Sequence, residues 1–230
     1  MYRWEQFKKL AQEFHVPVPE TWITFEVFDK DGKLVQKYQQ RGHSWTRNAY
    51  NIIFCQIAAK NPSDSTFAAG KLSLKDTGGI VRHNATRPIN YYYTTNLDAL
   101  GAGYLRAAGI IAQGILVGSG TNVESFEDHV LQTKIGHGTG AGQLSYADSE
   151  LHSVAYIAET KTLADTLIRY LNNNSGGSVS VNEVALVTRI FISNTGYNTL
   201  VSRDKLDTTV EVPDTGQLKV TYIISLVYPA

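Results

Sequence analysis

The spacing of apolar residues at the start of the chain is helical. Five apolar side chains in residues 2–15 recur every three or four positions and would share one helical face. They are Trp4, Phe7, Leu10, Ala11 and Phe14. Two prolines follow, Pro17 and Pro19, and proline disfavours helical backbone at the residue before it. We therefore predict a helix over residues 2–15 that ends ahead of the prolines.

The next segments predict a hairpin and a second helix. Residues 21–29 and 34–40 alternate in polarity on either side of the turn-forming sequence DKDG, which is typical of two antiparallel strands. Apolar residues then return to helical spacing over residues 44–60. Ser44 is placed to cap this helix with its hydroxyl, and Asn61-Pro62 would stop it.

Most of the remaining chain is strand-like. A short strand is predicted near residues 72–74, a buried strand over 109–117 and a short helix over 124–135. Short apolar segments separated by Gly, Asn, Pro and Asp then follow, which is typical of a sandwich or barrel. These predicted strands cover residues 166–173, 179–187, 190–193, 200–206, 210–212 and 218–228.

These elements predict a mainly β protein, a jelly-roll-like β-sandwich with two or three peripheral helices. Residues 19–230 would form a single sandwich domain that includes the helix over 44–60. Residues 1–18, set apart by the two prolines, would form an N-terminal helical arm. A chain of 230 residues is long enough to bury such a core without metals or disulfides.

Charge and composition exclude several kinds of partner. The 21 basic residues balance the 21 acidic ones, so no overall positive field favours nucleic acid or an anionic membrane. No apolar run approaches the ~18 residues of a membrane span, and the charged N-terminal residues lack a signal-peptide core. A single cysteine allows no intrachain disulfide. We expect a protein made in a cytosol-like compartment, without a specific nucleic acid or membrane partner.

The glycine-rich and histidine-containing segments do not complete a known site motif. Gly118 and Gly120 follow a predicted strand, but Val123 stands where a dinucleotide motif needs its third glycine, and no Lys-Ser or Lys-Thr closes a P-loop. His129 and His137 lie eight residues apart, whereas two zinc ligands on one helix need a spacing of three or four. We therefore predict no cofactor and no metal.

The acidic and serine residues do not indicate catalysis either. Asp148 and Glu150 lie close enough for a glycosidase-like carboxylate pair, but two acids in a polar loop are usually solvated. The sequence contains no Gly-x-Ser-x-Gly elbow. The prediction is a protein that is not an enzyme and has no catalytic residues.

Aromatic residues are the strongest candidates for interaction. The chain has 13 tyrosines, and tyrosine suits both protein interfaces and sugar stacking. Packing within a β-sandwich is the competing interpretation. The predicted interaction residues are Tyr91, Tyr92 and Tyr93, together with Trp4, Phe7 and Phe14 of the first helix.

Three stretches resemble virion structural proteins of tailed bacteriophages when they are taken in order. The first joins FEVFDKDGK at 25–33 to HSWTRNAYN at 43–51. The second joins ILVGSGT at 115–121 to FED at 126–128 and IGHG at 135–138. The third joins VNEVAL at 181–186, LVSRDKL at 200–206 and VPDTGQLKVTY at 212–222.

The resemblance implies a non-enzymatic structural subunit of a phage particle, located in the virion after synthesis in the host cytoplasm. Its place would be on the capsid, at the neck or in the tail. The expected partners are other virion proteins and further copies of the chain in a homo-oligomer. The alternative is a carbohydrate-binding or host-receptor adhesin module, with a surface glycan as partner. That module would use Tyr91–Tyr93 and the glycine-rich loop 136–142.

Overall fold

Two helices and eleven strands form the parts of the chain that the computed structural model describes, residues 2–58, 73–82, 104–192 and 195–228. The helices are α1 (Tyr2–Glu13) and α2 (Arg47–Ala58). The strands are β1 (Val18–Phe28), β2 (Leu34–Gly42), β3 (Leu74–Lys75), β4 (Val81–Arg82), β5 (Gly114–Gly118), β6 (Ser145–Ser149), β7 (Ser153–Ile157), β8 (Thr162–Asn172), β9 (Val179–Ile192), β10 (Thr195–Val212) and β11 (Gln217–Val227).

The larger sheet is antiparallel and has the strand order β2-β1-β11-β8-β6, with β7 also paired to β8. Strand β1 shows why this sheet has one core face. Its residues Ile23, Phe25 and Val27 are fully buried, while the residues between them are partly exposed, as the two-residue period of a strand requires. The hairpin predicted around residues 29–32 is the β1–β2 hairpin.

The second sheet has the order β10-β9-β5. The segments predicted separately over 179–187 and 190–193 form the single strand β9. Those predicted over 200–206 and 210–212 likewise form β10, whose pairing with β9 shifts register between Leu200 and Ser202 and between Lys205 and Val210. The second of these shifts coincides with residues 207–209, which separate the two segments predicted within β10.

The two sheets share one hydrophobic cluster. Val181, Val184 and Leu186 of β9 lie in the same buried cluster as Val220 and Tyr222 of β11. The protein is therefore a mainly β sandwich with two helices among the described residues, and this predicted fold class is confirmed.

The helix predicted over residues 124–135 is wrong. This segment is an irregular loop of turns and bends with one bridge, Gly118 to Lys134. Its backbone N–H groups at Gln132 and Thr133 donate to the Glu183 carboxylate at 3.1 and 2.7 Å. A partner distant in the chain thus satisfies groups that a helix would have satisfied locally.

The start of the second helix also differs from its prediction. Helix α2 begins at Arg47, so Ser44 does not cap it. The carbonyl of Ser44 accepts from Arg203 N at 3.2 Å, and Trp45 bridges Ser202 of β10. Residues 44–46 therefore extend along β10 before the helix begins.

Some predictions fall outside the described residues. Tyr91, Tyr92 and Tyr93 lie there, as do residues 59–60 at the predicted end of the second helix. No helix within the described ranges has the length and apolarity that crossing a membrane requires.

Candidate functional site

A groove lies between helix α2 and the loop that precedes Asp128. Its volume is about 840 Å³, within the range of small-molecule sites. Residues 44–46 hold the helix side of the groove against strand β10. Thr46 N donates to Val201 O at 3.0 Å, and Thr46 Oγ1 donates to Leu200 O at 2.9 Å. The lining residues are His43, Ser44, Trp45, Arg47, Tyr50, Asn51, Phe54, Glu124, Ser125, Phe126 and Glu127.

One wall of the groove is aromatic and exposed. Tyr50 and Phe54 lie one helical turn apart on α2, so both face the same side. Phe126 approaches from the opposite loop, and its ring centroid lies 6.0 Å from that of Tyr50. All three rings are about half exposed. The wall therefore presents flat apolar faces to solvent.

A charged cluster lies at one end of the groove. His43 Nε2 lies 3.6 Å from Glu124 Oε1, and His43 Nδ1 lies 3.4 Å from Asp204 Oδ1. The His43 ring is half exposed, whereas the Asp204 side chain is 1% exposed. Ligand atoms of the three side chains all lie within 4.8 Å of one another. We call these three residues the His43 cluster.

Burial dominates the electrostatics of Asp204. It raises the pKa of this carboxyl above its ordinary value, and the nearby Glu124 charge raises it further. Hydrogen bonds from the backbone N–H groups of His43 and Ser44, and the charge of His43, act in the opposite direction. The first of these bonds joins His43 N to Asp204 Oδ1 at 2.8 Å. Asp204 is thus a nearly enclosed carboxylate that is hydrogen-bonded to the backbone of His43, a residue that lines the groove.

Buried ion pairs hold the groove's loop wall in place. Arg203 Nε donates to Glu183 Oε2 at 2.7 Å, and Arg203 Nη1 donates to Asp128 Oδ2 at 2.8 Å. Lys205 N donates to Glu124 Oε1 at 2.7 Å. Strand β10 therefore fixes both ends of the segment that carries Glu124 and Phe126.

The glycines at 118 and 120 serve this same structure. A Cβ at Gly118 would lie 2.4 Å from Glu183 Oε1, and one at Gly120 would lie 2.6 Å from it. Side chains at these positions would displace the carboxylate. The glycine-rich sequence is thus explained by packing against Glu183, without a phosphate ligand.

The predicted interaction residues of α1 divide into two kinds. Trp4 contacts the body of its own chain: its Nε1 donates to Glu20 Oε1 at 2.9 Å, and the Arg41 guanidinium lies 3.2 Å from its ring centroid. Phe7 and Phe14 are 48% and 67% exposed. Only these two of the three described residues present apolar surface to a partner.

Exposed apolar residues, Phe14 among them, occur in the chain segments that meet at one end of the larger sheet. Strand pairing aligns Val18, Val227, Thr162 and Ile157 in one row across the larger sheet, about 14 Å from the first strand to the fourth. Exposed apolar side chains lie within four residues of these positions along the chain. We call them the apolar end surface: Phe14, Val16, Val154, Tyr156, Ile157 and Tyr228.

The glycine-rich loop at 136–142 is folded on itself. Gly140 N donates to Gln143 Oε1 at 3.0 Å, and Leu144 N donates to Gly136 O at 3.1 Å. Ser145 Oγ donates to Gly138 O at 3.0 Å. Its polar groups therefore bond to one another, and the structure does not bring the loop to the groove residues.

Sequence patterns missed the groove because its residues come from distant segments. His43 and Asp204 are 161 residues apart, and Glu124 lies in a segment predicted to be helical. The one available signal was the aromatic pair Tyr50 and Phe54 at helical spacing. A ligand with an apolar face and a polar or cationic edge would fit the wall and the cluster together.

We found no match for this chain among protein-family models, curated proteins or solved structures.

Proposed function

We propose that this protein is a non-enzymatic structural subunit of a tailed-phage particle. It forms a homo-oligomer, and this oligomer binds other virion proteins on the capsid, at the neck or in the tail. The resemblance of the three ordered stretches between residues 25 and 222 supports the phage setting. The observation that supports assembly most directly is the apolar end surface.

The apolar end surface has the features of an interface. Exposed apolar residues grouped at one end of a sheet are candidates for a binding surface. All five residues of β7 are exposed, and within the described residues β7 pairs only with β8. Its free backbone groups are available to another chain, because an edge strand presents unpaired donors and acceptors.

Helix α1 extends this surface in the proposed assembly. Phe7, Leu10 and Phe14 are exposed and lie on one side of the helix by their spacing. Ala11 is buried and Lys8 Nζ lies 3.9 Å from Glu20 Oε1, so the adjacent side of the helix, which carries Lys8 and Ala11, faces β1. The helix acts as an arm whose inner side contacts its own body and whose outer side contacts a neighbour.

A paired substitution tests this proposal. Phe7→Ser with Phe14→Ser removes two exposed rings while leaving Trp4 and Ala11 in place. Sedimentation velocity should show loss of the oligomer with an unchanged circular dichroism spectrum. The matched control is Leu34→Ser with Val35→Ser, which alters two exposed residues at the opposite end of β1 and should leave the oligomer intact.

Equal sedimentation of the wild type and the Phe7/Phe14 variant would contradict the role of α1. Deletion of residues 1–16 extends the test, because β1 begins at Val18 and its pairing with β11 is kept. The truncated chain should remain folded and monomeric. Unfolding of the truncated chain would show that the helix belongs to the core.

A carbohydrate-binding or adhesin module is the second candidate, and the groove favours it. Sugars place their apolar faces on aromatic rings and their hydroxyls near carboxylates and amides. Tyr50, Phe54 and Phe126 supply the rings, and Glu124 and Glu127 supply carboxylates beside them. The groove replaces the loop at 136–142 as the proposed glycan site, because the polar groups of that loop are hydrogen-bonded to one another.

A glycan array with the wild type and with Tyr50→Ala tests this second function. Binding that the substitution abolishes would support it. An array without any binder would remove it and leave the structural proposal untouched.

A further inference from the structure

We propose that the His43 cluster binds a divalent transition-metal ion, with Zn²⁺ as the expected ion. The ligands would be the His43 ring, the carboxylates of Glu124 and Asp204, and the backbone carbonyl of Arg41. This inference does not depend on the assembly role proposed above.

The distances around His43 Nδ1 fit ligands that share one ion. Nδ1 lies 3.4 Å from Asp204 Oδ1 and 3.1 Å from Arg41 O. Ligands bound at ~2.1 Å are separated by about 3.0 Å at right angles and about 3.4 Å at the tetrahedral angle. Two of the distances between proposed ligand atoms, both measured from His43 Nδ1, therefore match the spacing of a coordination shell.

Glu124 completes the set through a movement of its side chain or of the exposed His43 ring. Its Oε1 lies 3.6 Å from the other ring nitrogen, His43 Nε2, and ligand atoms of the three side chains lie within 4.8 Å of one another. The side chain lies on the loop wall and lines the groove, so the ion would be reached from solvent.

The charge of the cluster also favours a divalent cation. Glu124 and Asp204 contribute two negative charges, and a buried carboxylate requires a compensating positive partner. Within the described residues, the only ion pair that Asp204 makes is with His43, which is positive only when protonated. A divalent ion with a neutral His43 ring balances both carboxylates. One imidazole with oxygen ligands suits Zn²⁺ and Mn²⁺ better than Ca²⁺.

A buried hydroxyl without a hydrogen-bond partner is a second observation that points to a polar ligand site. Tyr222 is fully buried, and its Oη has no hydrogen-bond partner among the described residues. Burial raises the pKa of Tyr222, the charge of Asp204 raises it further, and an interaction with the Ser202 side chain lowers it. Carboxylates that bind metals are commonly oriented by a hydrogen bond from outside the shell, and the proposal assigns this role at Asp204 to the Tyr222 hydroxyl.

Isothermal titration of Zn²⁺ into the untagged, EDTA-treated full chain tests the site. The wild type should bind one ion per chain. His43→Ala and Asp204→Asn should each weaken binding at least tenfold. Glu124→Gln should weaken it too, and its amide oxygen can still accept from Lys205 N, so this variant keeps the loop anchored. Circular dichroism in EDTA would establish that each variant is folded.

Two control variants separate the site from adventitious binding. His15→Ala removes a surface imidazole outside the cluster, and Glu127→Gln removes an exposed groove carboxylate that pairs with Arg47. Both should bind Zn²⁺ as the wild type does. The absence of saturable binding to the wild type would overturn the proposal. Equal weakening by His15→Ala and His43→Ala, or wild-type affinity in folded Glu124→Gln, would also overturn it.

Discussion

Arg203 Nε donates to Glu183 Oε2 at 2.7 Å, in an ion pair whose side chains are 3% and 0% exposed. The same carboxylate accepts from the backbone N–H groups of Gly120, Gln132 and Thr133. One buried acid thus binds strand β10 and both ends of the irregular segment 120–133. The groove wall rests on this arrangement.

Replacement of Glu183 by alanine should destabilise the fold strongly. It would leave Arg203 buried without this partner and three backbone donors without an acceptor. Removing one member of a buried pair costs about 3–5 kcal/mol, measurable as the change in the free energy of unfolding in urea. Glu211→Ala is the matched control, because within the described residues the exposed Glu211 carboxylate accepts only from the hydroxyls of Ser178 and Ser180. It should cost less than about 1 kcal/mol, and equal costs for the two variants would contradict the role of Glu183.

Gly118→Ala should destabilise the protein by displacing the same carboxylate. The new Cβ would lie 2.4 Å from Glu183 Oε1 and 2.6 Å from Thr133 O, and overpacking of this kind costs about 1–3 kcal/mol. Gly177→Ala places its Cβ in open space and should be close to neutral. Urea unfolding of both variants is the measurement. A neutral Gly118→Ala would show that packing does not require this glycine.

Arg169 of β8 is predicted to stabilise the fold through its hydrogen bonds to several backbone carbonyls. It is fully buried and donates to the carbonyls of Ala107, Ile110, Gln113, Ile115 and Ala147. Burial lowers the pKa of its guanidinium to about 10, and the five acceptors keep it charged at neutral pH. Arg169→Met leaves these carbonyls without their donor and should cost about 3 kcal/mol or more.

The control for Arg169 is Arg47→Met. Arg47 forms an exposed pair with Glu127, and such pairs contribute less than about 1 kcal/mol. Thermal unfolding of the two variants compares the sites directly. Equal midpoints of thermal unfolding for Arg169→Met and Arg47→Met would contradict this structural role of Arg169.

Tyr146 should make stability fall at alkaline pH. Burial raises the pKa of its hydroxyl to about 12, above the ordinary value of 10. A raised folded-state pKa gives stability that is complete below pH 10 and is lost as the pH rises towards 12. A difference of two units between the folded and unfolded pKa corresponds to about 3 kcal/mol in the free energy of unfolding.

Tyr146→Phe tests this dependence by urea unfolding at pH 9, 10 and 11. The variant should start less stable, because Tyr146 Oη donates to Ile135 O at 3.1 Å. Its stability should then fall less between pH 10 and 11 than that of the wild type. Parallel losses in the two proteins would argue against a buried hydroxyl at this position.

The sequence predicted what depends on local patterns. The β1–β2 hairpin was predicted because its alternation and its turn residues lie within about 20 positions, and α1 because its apolar face is periodic. The segment 124–135 was predicted to be a helix because a local pattern contains no information about its distant hydrogen-bond acceptor, Glu183. The same reason hides the His43 cluster, whose residues 43, 124 and 204 are brought together by hydrogen bonds of β10 with residues 43–46 and with Glu124.

The interaction residues show the same limit. Spacing placed Trp4, Phe7 and Phe14 on one helical face, but it could not show that Trp4 stacks against Arg41 of its own chain. Strand register placed Tyr156 and Tyr228 at the same end of the sheet, with ring centroids 6.0 Å apart. Only tertiary pairing brings these two tyrosines, 72 residues apart in the chain, together.

Native mass spectrometry of the purified full chain tests the central claim, self-assembly, most directly. A single chain has a mass of 25.4 kDa. Assembly predicts discrete multiples of this mass that persist on dilution, and their loss in the Phe7→Ser, Phe14→Ser variant. A single species of 25.4 kDa at every concentration, identical in the wild type and the variant, would contradict the account.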